Sequence, residues 1–207
     1  MSTKSSLNWR LLKHGVLRRN EGGLGPMTVR LILQFPERQS ALRQKSQPVR
    51  TITRRVRELV DDLRDTLMAH PEGVGLAAPQ IGAHQRVIVV RLGSGDDNHE
   101  NKRTPLALIN PQVIEAGDER KDFDGCLSIP GLYGQTTRPH YLRIAGLDEH
   151  GRPFDRVFDD FDAVIVHHEI DHLDGVLFID RIEGLEDLYR IEVDVHGQSV
   201  KVPVSAM

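Results

Sequence analysis

The sequence predicts an α+β fold, in which antiparallel β-strands surround a central helix that carries an HExxH motif. His168 and His172 lie four positions apart after an apolar run over residues 163–166. Residues at this spacing share one face of a helix. Several short segments of alternating or β-branched residues indicate strands, and residues typical of turns lie between these segments. The 207 residues suffice for one domain with appended segments.

Residues 1–28 form a basic segment that we separate from a domain over residues 29–207. Its beginning is rich in lysine and arginine without any acid, and glycines and a proline follow up to Pro26. An organelle transit peptide has this charge pattern. We favour a flexible basic extension, or a natural start at Met27. The basic residues are Lys4, Arg10, Lys13, Arg18 and Arg19.

The domain is predicted to begin with a strand over residues 29–35 and a long helix that Pro71 ends. Arginines occupy the outward face of this helix near its start. A solvated face explains them better than a patch that contacts RNA or the ribosome. The apolar positions at helical spacing are Ile52, Val56, Leu59, Leu63 and Leu67.

The segment over residues 73–82 is dense in glycine and alanine. Small residues let a backbone pass close to a ligand or to another strand. Gln80 supplies the amide side chain of this segment. The pattern lacks the lysine of a phosphate-binding loop, which argues against that class of site.

Further strands are predicted over residues 86–90, 106–109 and 141–144. Residues 110–111 are expected to end the second of these strands, and residues 148–151 are expected to form a turn.

The C-terminus is predicted to form a β-hairpin with His196 and Gly197 as its two-residue turn. This placement gives the hairpin one apolar face and one face with opposite charges. The predicted pairs are Val193 with Val200, Ile191 with Val202 and Glu192 with Lys201.

Composition excludes several classes of protein. A formal charge of -3 offers no general case for nucleic-acid binding. No apolar run approaches the roughly twenty residues of a transmembrane helix. The single cysteine, Cys126, excludes an internal disulfide and is instead a candidate metal ligand or nucleophile.

The HExxH segment indicates a metal site. Both imidazoles on one helix face can reach the same ion, and Glu169 can reach a water on that ion. Asp160 or Asp162 is expected to cap the helix, and Gly175 to stop it. Histidines that simply pack in a core are the less favoured alternative.

Three stretches in this order resemble peptide deformylases: GVGLAAPQ at residues 73–80, DGCLS at 124–128 and HEIDH at 168–172. The resemblance extends over residues 29–183. It implies hydrolysis of the N-formyl group from the N-terminal formylmethionine of newly made polypeptides, with release of formate. The ribosome is considered as a further partner, whereas a membrane or a specific nucleic acid is not expected. A cytoplasmic location is expected, or an organelle if residues 1–28 are a transit peptide.

By the same resemblance, Cys126, His168 and His172 bind one divalent metal ion, with a water in the fourth position. Fe²⁺ is expected from the family, with Zn²⁺, Ni²⁺ or Co²⁺ as alternatives. A tetrahedral site of this type by itself suggests zinc. Glu169 is expected to transfer the proton.

The resemblance also assigns donors to the oxyanion and walls to the substrate pocket. The Gln80 amide and the backbone N–H of Leu127 are expected to stabilise the oxyanion. The predicted substrate-binding residues are Val74, Gly75, Tyr133 and Val164, of which the two valines serve equally well as core.

Two positions depart from the family pattern. Asp124 replaces a glutamate, and Tyr133 replaces an arginine. The family residues are expected to pair near the substrate entrance, so their joint loss predicts a raised KM with a smaller effect on kcat. Two other functions remain open: a zinc metallopeptidase, and a catalytically weakened deformylase-like binding protein.

Overall fold

The computed structural model describes residues 9–12, 16–19, 27–93, 104–193 and 197–204. This part of the chain contains ten strands and three α-helices. The strands are β1 (Trp9–Leu12), β2 (Val16–Arg19), β3 (Met27–Val29), β4 (Gly75–Ala77), β5 (Val87–Val90), β6 (Leu106–Cys126), β7 (Ile129–Leu147), β8 (Pro153–Asp159), β9 (Leu188–Val193) and β10 (Ser199–Pro203). The α-helices are α1 (Gln39–Leu42), α2 (Arg54–Met68) and α3 (Asp160–Leu173), and short 3₁₀ helices span Ala78–Ile81, Phe178–Arg181 and Leu185–Asp187.

All pairs of neighbouring strands are antiparallel. A seven-stranded sheet has the order β10-β9-β7-β6-β5-β4, and β8 pairs with β7 beside this path. A three-stranded sheet has the order β1-β2-β3. The predicted α+β class with antiparallel strands is therefore confirmed.

Strands β4 and β5 and the first residues of β6 are apolar on both faces because each face packs against a different helix. Successive side chains of a strand point to opposite faces, so alternate residues join different cores. The core that includes α2 contains Leu76, Val87, Val89, Ala107 and Ile109. The core that includes α3 contains Ala77, Ile88, Val90 and Leu108. This placement fixes α3 against one side of the sheet and α2 against the other.

Helix α2 confirms the predicted long helix. The side chain of Thr53 accepts a hydrogen bond from the backbone N–H of Val56 and caps the N-terminus. The apolar positions at helical spacing from Val56 to Leu67 are buried. Ile52 lies just before the cap and packs against the same core.

Helix α3 carries the HExxH motif, but its N-terminus differs from the prediction. Asp159 occupies the N-cap position without a side-chain hydrogen bond, so neither Asp160 nor Asp162 caps the helix. The C-terminus is as predicted, since Gly175 has φ 76° just after the last turn. A Cβ atom on Gly175 would overlap the carbonyl oxygen of Arg43, and this close contact is a second reason why the position requires glycine.

The strand predicted over residues 29–35 is largely wrong. Strand β3 ends at Val29. Residues that follow it make individual backbone hydrogen bonds to residues near Gln80 and do not pair with a neighbouring strand. The N–H of Leu33 donates to the carbonyl of Gln80 at 2.7 Å, and that of Phe35 donates to the carbonyl of Ser128 at 2.8 Å.

The strand predicted over residues 106–109 is longer than expected and continues to Cys126. Asn110 adopts a left-handed conformation with φ 52°. Its amide exchanges two hydrogen bonds of 2.8 Å with the backbone of Val49, which stabilises the irregularity. Pairing with β7 then resumes at Gln112. A bulge replaces the predicted end of the strand.

The C-terminal hairpin is confirmed, but its predicted register is wrong by one residue. Val193 pairs with Ser199, Glu192 with Val200, and Ile191 with Lys201. Five residues separate Val193 from Ser199. His196, one of the two predicted turn residues, lies outside the described part of the chain.

Two strands lie within the predicted N-terminal extension. Strand β2 pairs with β1 and with β3, which begins at Met27. A domain boundary between residues 28 and 29 remains a prediction.

Candidate metal centre

The end of β6 and one face of α3 bring together the three residues that the sequence singled out as metal ligands. The candidate ligand atoms of Cys126, His168 and His172 all lie within 4.8 Å of one another. The Sγ atom of Cys126 is 3.2 Å from Nε2 of His172. A sulfur and two imidazole nitrogens at this separation fit the donor set of a four-coordinate metal site with one open position.

The electrostatics of the site favour the ligand form of Cys126. Burial alone would raise the pKa of the thiol, but the adjacent His172 and His168 lower it to about 5. A thiolate is the form that binds metals. The sulfur also accepts long contacts from the N–H of Ser128, at 3.4 Å, and from Nε2 of Gln80, at 3.5 Å.

Asp124 orients His168. Its Oδ1 atom lies 2.7 Å from Nδ1 of the imidazole, so Nε2 is the nitrogen left for a metal. Burial lowers the pKa of His168, but the charge and hydrogen bond of Asp124 outweigh burial and raise it well above its ordinary value. Burial also acts to raise the pKa of Asp124, and His168 and Arg138 instead hold it well below its ordinary value.

A fully buried arginine links this carboxylate to α3. Arg138 donates from Nε to Asp124 at 2.6 Å and from a terminal nitrogen to Asp171 at 2.9 Å. Thr136 donates to Asp124 at 3.0 Å. Arg181 contacts Asp171 through two hydrogen bonds of 2.6 and 2.7 Å. The imidazole of His168 is therefore held by a buried network of paired charges.

Asp124 and Tyr133, the two positions that depart from the family pattern, do not form a pair in this structure. In the cross-strand register Tyr133 lies opposite Gly125, and its ring covers that glycine. The preceding residue, Asp124, points to the other face of the strand, toward Arg138 and His168. Within the described residues, no hydrogen bond joins Asp124 to Tyr133. The raised KM expected from the joint change at Asp124 and Tyr133 remains a prediction.

Glu169 lies buried beside the three candidate ligands, with 4% of its surface exposed. Its Oε2 atom is without a hydrogen-bond partner among the described residues. Burial raises the pKa of this carboxyl to about 7, although the charges of His168 and His172 oppose the increase. A Cβ atom on Gly75 would overlap Oε1 of Glu169, so glycine at this position makes room for the carboxylate.

The amide of Gln80 is fixed by its own backbone turn. Its Oε1 atom accepts a hydrogen bond of 2.8 Å from the N–H of Ala77, which leaves Nε2 to donate. This nitrogen lies 3.1 Å from Oγ of Ser128 and points toward the sulfur of Cys126. The glycine- and alanine-rich segment therefore brings its amide donor to the metal centre.

A cavity of about 820 Å³ opens at this centre. It is lined by Cys126, His168, Glu169 and Gln80, by Leu127, and by the predicted substrate-binding residues Val74, Gly75, Tyr133 and Val164. Val164 is buried as well, whereas Val74 is exposed at 40%. The predicted site residues other than His172 therefore line one cavity, and His172 contacts Cys126 beside it.

The sequence analysis missed other residues of this region. Leu31, Phe123, Phe161 and Lys201 line the cavity, and Asp171 anchors Arg138. Asp171 had a signal in the sequence, since an acid inside the motif helix needs a cationic partner once buried. The cavity walls had none, because they depend on how distant segments pack.

The comparisons with known proteins agree with this geometry. A family model described as polypeptide deformylase matches residues 29–187. The chain is 38% identical over 161 residues to peptide deformylase 1 of Pseudomonas syringae pv. tomato, which covers 77% of this chain and 90% of that protein. It is 41% identical over 162 residues to a peptide deformylase of Thermomicrobium roseum, which covers 78% and 90%.

Solved structures give the same result. A peptide deformylase from Legionella pneumophila superposes with a TM-score of 0.66 at 35% identity, over 76% of this chain and 88% of that one. A peptide deformylase from Synechococcus elongatus in complex with actinonin has a TM-score of 0.65 at 38% identity, over 74% and 80%.

Proposed function

Since the chain belongs to the peptide deformylase family, a family of metal-dependent hydrolases, we propose that Cys126, His168 and His172 hold the metal ion with which it removes N-formyl groups from nascent polypeptides. One observation carries this assignment: the three ligand atoms lie within 4.8 Å of one another, beside the buried carboxyl of Glu169. Helix α3 accordingly presents two of the three proposed ligands, and the end of β6 presents the third.

The identity of the metal is a further part of the proposal. Fe²⁺ is assigned first because of the family resemblance, and Zn²⁺ is the alternative that the donor set favours. A divalent ion held by Cys126, His168 and His172 would lower the pKa of a bound water and would polarise the formyl carbonyl. Asp124 and Arg138 hold His168 in the orientation that such an ion needs.

Glu169 is assigned as the group that moves the proton. It is buried beside the candidate ligands, where it would accept a proton from a water and pass it to the leaving amine. Burial raises the pKa of this carboxyl above its ordinary value, which favours uptake of that proton. The free Oε2 atom is available for this exchange. The backbone of Gly75 keeps the space beside the carboxylate open.

Stabilisation of the oxyanion is assigned to Gln80 and Leu127. The Gln80 amide is held before the substrate arrives, because its oxygen is already bonded to the N–H of Ala77. A preorganised donor needs no rearrangement during the reaction, and the loss of one such donor costs about a hundredfold or more in rate. The backbone N–H of Leu127, directly after Cys126, is the second assigned donor.

The methionine side chain is assigned to the apolar part of the cavity. Val74, Leu127 and Val164 supply apolar walls there, Gly75 keeps the backbone close, and Tyr133 lies at a half-exposed edge of the cavity. Such a pocket fits a flexible unbranched side chain.

The geometry argues against the two other functions. In HExxH metallopeptidases of the metzincin type the third ligand follows the motif in the sequence, whereas here Cys126 of β6, which precedes the motif, completes the group. A protein that only binds formylated peptides has no use for a buried, unpaired Glu169 beside the metal ligands.

The ligand assignment is tested by Cys126→Ala and His172→Ala. Both variants, purified without oxygen and reconstituted separately with iron and with zinc, should lose stoichiometric metal and the release of formate from formyl-Met peptides. His150→Ala is the matched control, because His150 is an exposed histidine outside the cavity. A Cys126→Ala protein that still binds one metal ion tightly would contradict the assignment.

Contact with the ribosome, location in an organelle and the boundary at residue 28 stay predictions. In the described part of the chain, none of the helices has the length and apolar character needed to cross a membrane.

A further inference from the structure

The C-terminal hairpin lies beside the cavity and beyond the family match, which ends at residue 187. Strand β9 pairs with β7 at Leu132, Tyr133 and Gly134, and β10 pairs with the outer edge of β9. Lys201 on β10 lines the cavity. The hairpin thereby contributes to the cavity a lysine that lies outside the part of the chain matched by the family.

An aromatic ring holds Lys201 in place. Its Nζ atom lies 3.4 Å from the centroid of the Phe123 ring, which in turn packs against Tyr189 with ring centroids 5.6 Å apart. The ring face attracts the ammonium group but does not neutralise its charge. The side of the ammonium away from the ring remains open to a ligand.

Lys201 differs from the other cations at the cavity. Arg30 donates to Asp62 at 2.8 Å, so a carboxylate already compensates its charge. His70 lies 3.4 Å from Glu72. Across the described residues, the ammonium group of Lys201 has no carboxylate partner and lies over the ring of Phe123. An uncompensated cation on the wall of a peptide site complements an anionic group of the peptide.

We propose that Lys201 is a specificity-determining residue that favours formylated peptides with an acidic side chain in the first few residues after methionine. This inference rests on the proposed function, since it takes the cavity as the substrate site. Phe123 precedes Cys126 by three residues on β6, which corresponds to about 10 Å along the strand. An extended peptide covers that length in about three residues, so the acid belongs at the second to fourth position.

The experiment compares matched peptides in the metal-loaded full-length protein. Formyl-Met peptides carry glutamate, or its neutral counterpart glutamine, at the second, third or fourth position. The ratio of kcat/KM for the two peptides reports the preference. The wild type should favour glutamate by about two- to fivefold, the range that exposed ion pairs give. At about 1 M salt the preference should vanish.

Substitutions locate the preference. Lys201→Met keeps the aliphatic chain and should bring the ratio to one, Lys201→Glu should invert it, and Lys201→Arg should retain it. Lys45→Met is the matched control, since Lys45 is an exposed lysine that does not line the cavity, and it should leave the ratio unchanged. An unchanged ratio in Lys201→Met, or an absence of preference in the wild type at all three positions, overturns the proposal.

A binding measurement separates this proposal from the proposed function. Titration of the deformylated products Met-Ala-Glu and Met-Ala-Gln gives a ratio of Kd values without turnover. If no formylated peptide is hydrolysed but the Kd ratio still depends on Lys201, the catalytic assignment fails and the specificity stands. If hydrolysis proceeds and neither ratio depends on Lys201, the specificity fails alone.

Discussion

Glu169 and Gln80 show how single residues are prepared for the reaction before any substrate binds. Glu169 is buried with one unpaired oxygen, and Gln80 has one atom of its amide fixed by a backbone donor. Oε2 of Glu169 is without a hydrogen-bond partner among the described residues, and Nε2 of Gln80 is held between Ser128 and the sulfur of Cys126. Both side chains are therefore positioned beside the candidate metal ligands in advance.

We expect Glu169→Gln to retain the metal and to lower turnover by about two to four orders of magnitude, because the amide keeps the shape but cannot accept the proton. Formate release and metal content in the same preparation check this. Turnover near that of the wild type would show that another group moves the proton.

A second residue-scale prediction concerns Asp124. Asp124→Asn removes the carboxylate that pairs with buried Arg138 and orients His168. Arg138 keeps Asp171 as a partner, so we expect a loss of stability smaller than the about 3–5 kcal/mol that a fully uncompensated buried charge costs. Loss of the carboxylate behind a metal ligand weakens metal affinity by about 10- to 100-fold. Chemical denaturation and metal titration measure the two effects. Asp122→Asn, at a half-exposed acid of the same strand, is the control and should change neither. If Asp124→Asn binds the metal as tightly as the wild type, His168 is oriented by something else.

At the scale of elements, the stop of α3 depends on Gly175 for two separable reasons. Its φ of 76° is unfavourable for other residues, and Arg43 leaves no room for a Cβ atom. Gly131 has a φ of 75° but open space around it. We expect Gly131→Ala to destabilise by about 1–2 kcal/mol from the backbone conformation alone.

Gly175→Ala should therefore cost more than Gly131→Ala, by about 1–3 kcal/mol. Urea denaturation of both variants measures the difference. Equal losses would mean that the chain around Arg43 shifts to accommodate the methyl group.

The elements also show where prediction from sequence succeeds. The periodicity of apolar residues within a single segment is sufficient to predict helices α2 and α3 and the buried residues of β5 and of the start of β6. The bulge at Asn110 depends on two hydrogen bonds to Val49, sixty-one positions away. The register of the hairpin differs by one residue from the register that the side-chain pattern favours. Long-range partners decide these features, and a local pattern does not contain them.

The candidate site divides in the same way. The motifs were sufficient to predict that Cys126, His168, His172 and Glu169 lie together. They did not predict the partner of Asp124. Tyr133 and Arg138 both lie on β7, which pairs with the strand of Asp124, and the structure shows that Arg138 is the residue that contacts it. Lys201 was predicted to lie on a hairpin, but its position at the cavity follows from the packing of β9 on β7.

For the whole molecule, the hairpin closes one edge of the main sheet. Removal of residues 188–207 would expose the edge of β7 at Leu132, Tyr133 and Gly134. Unpaired edges template association between chains. We expect the truncated protein to have a lower Tm and to self-associate, as measured by scanning calorimetry and light scattering. Removal of residues 205–207 alone is the control. A truncated protein that stays monomeric at the same Tm would show that the hairpin contributes nothing to the sheet.

Strand β5 has neighbours on every side: β4 and β6 along its two edges, and the cores of α2 and α3 on its two faces. Its amide hydrogens can exchange with solvent deuterium only when the whole domain opens. Their exchange rate is therefore a gauge of global stability, read at a strand that contributes none of the candidate ligands. Metal that binds only the folded chain slows this rate in proportion to its concentration over its dissociation constant. Exchange at Val87–Val90 thus reports occupancy of the metal centre from a distance.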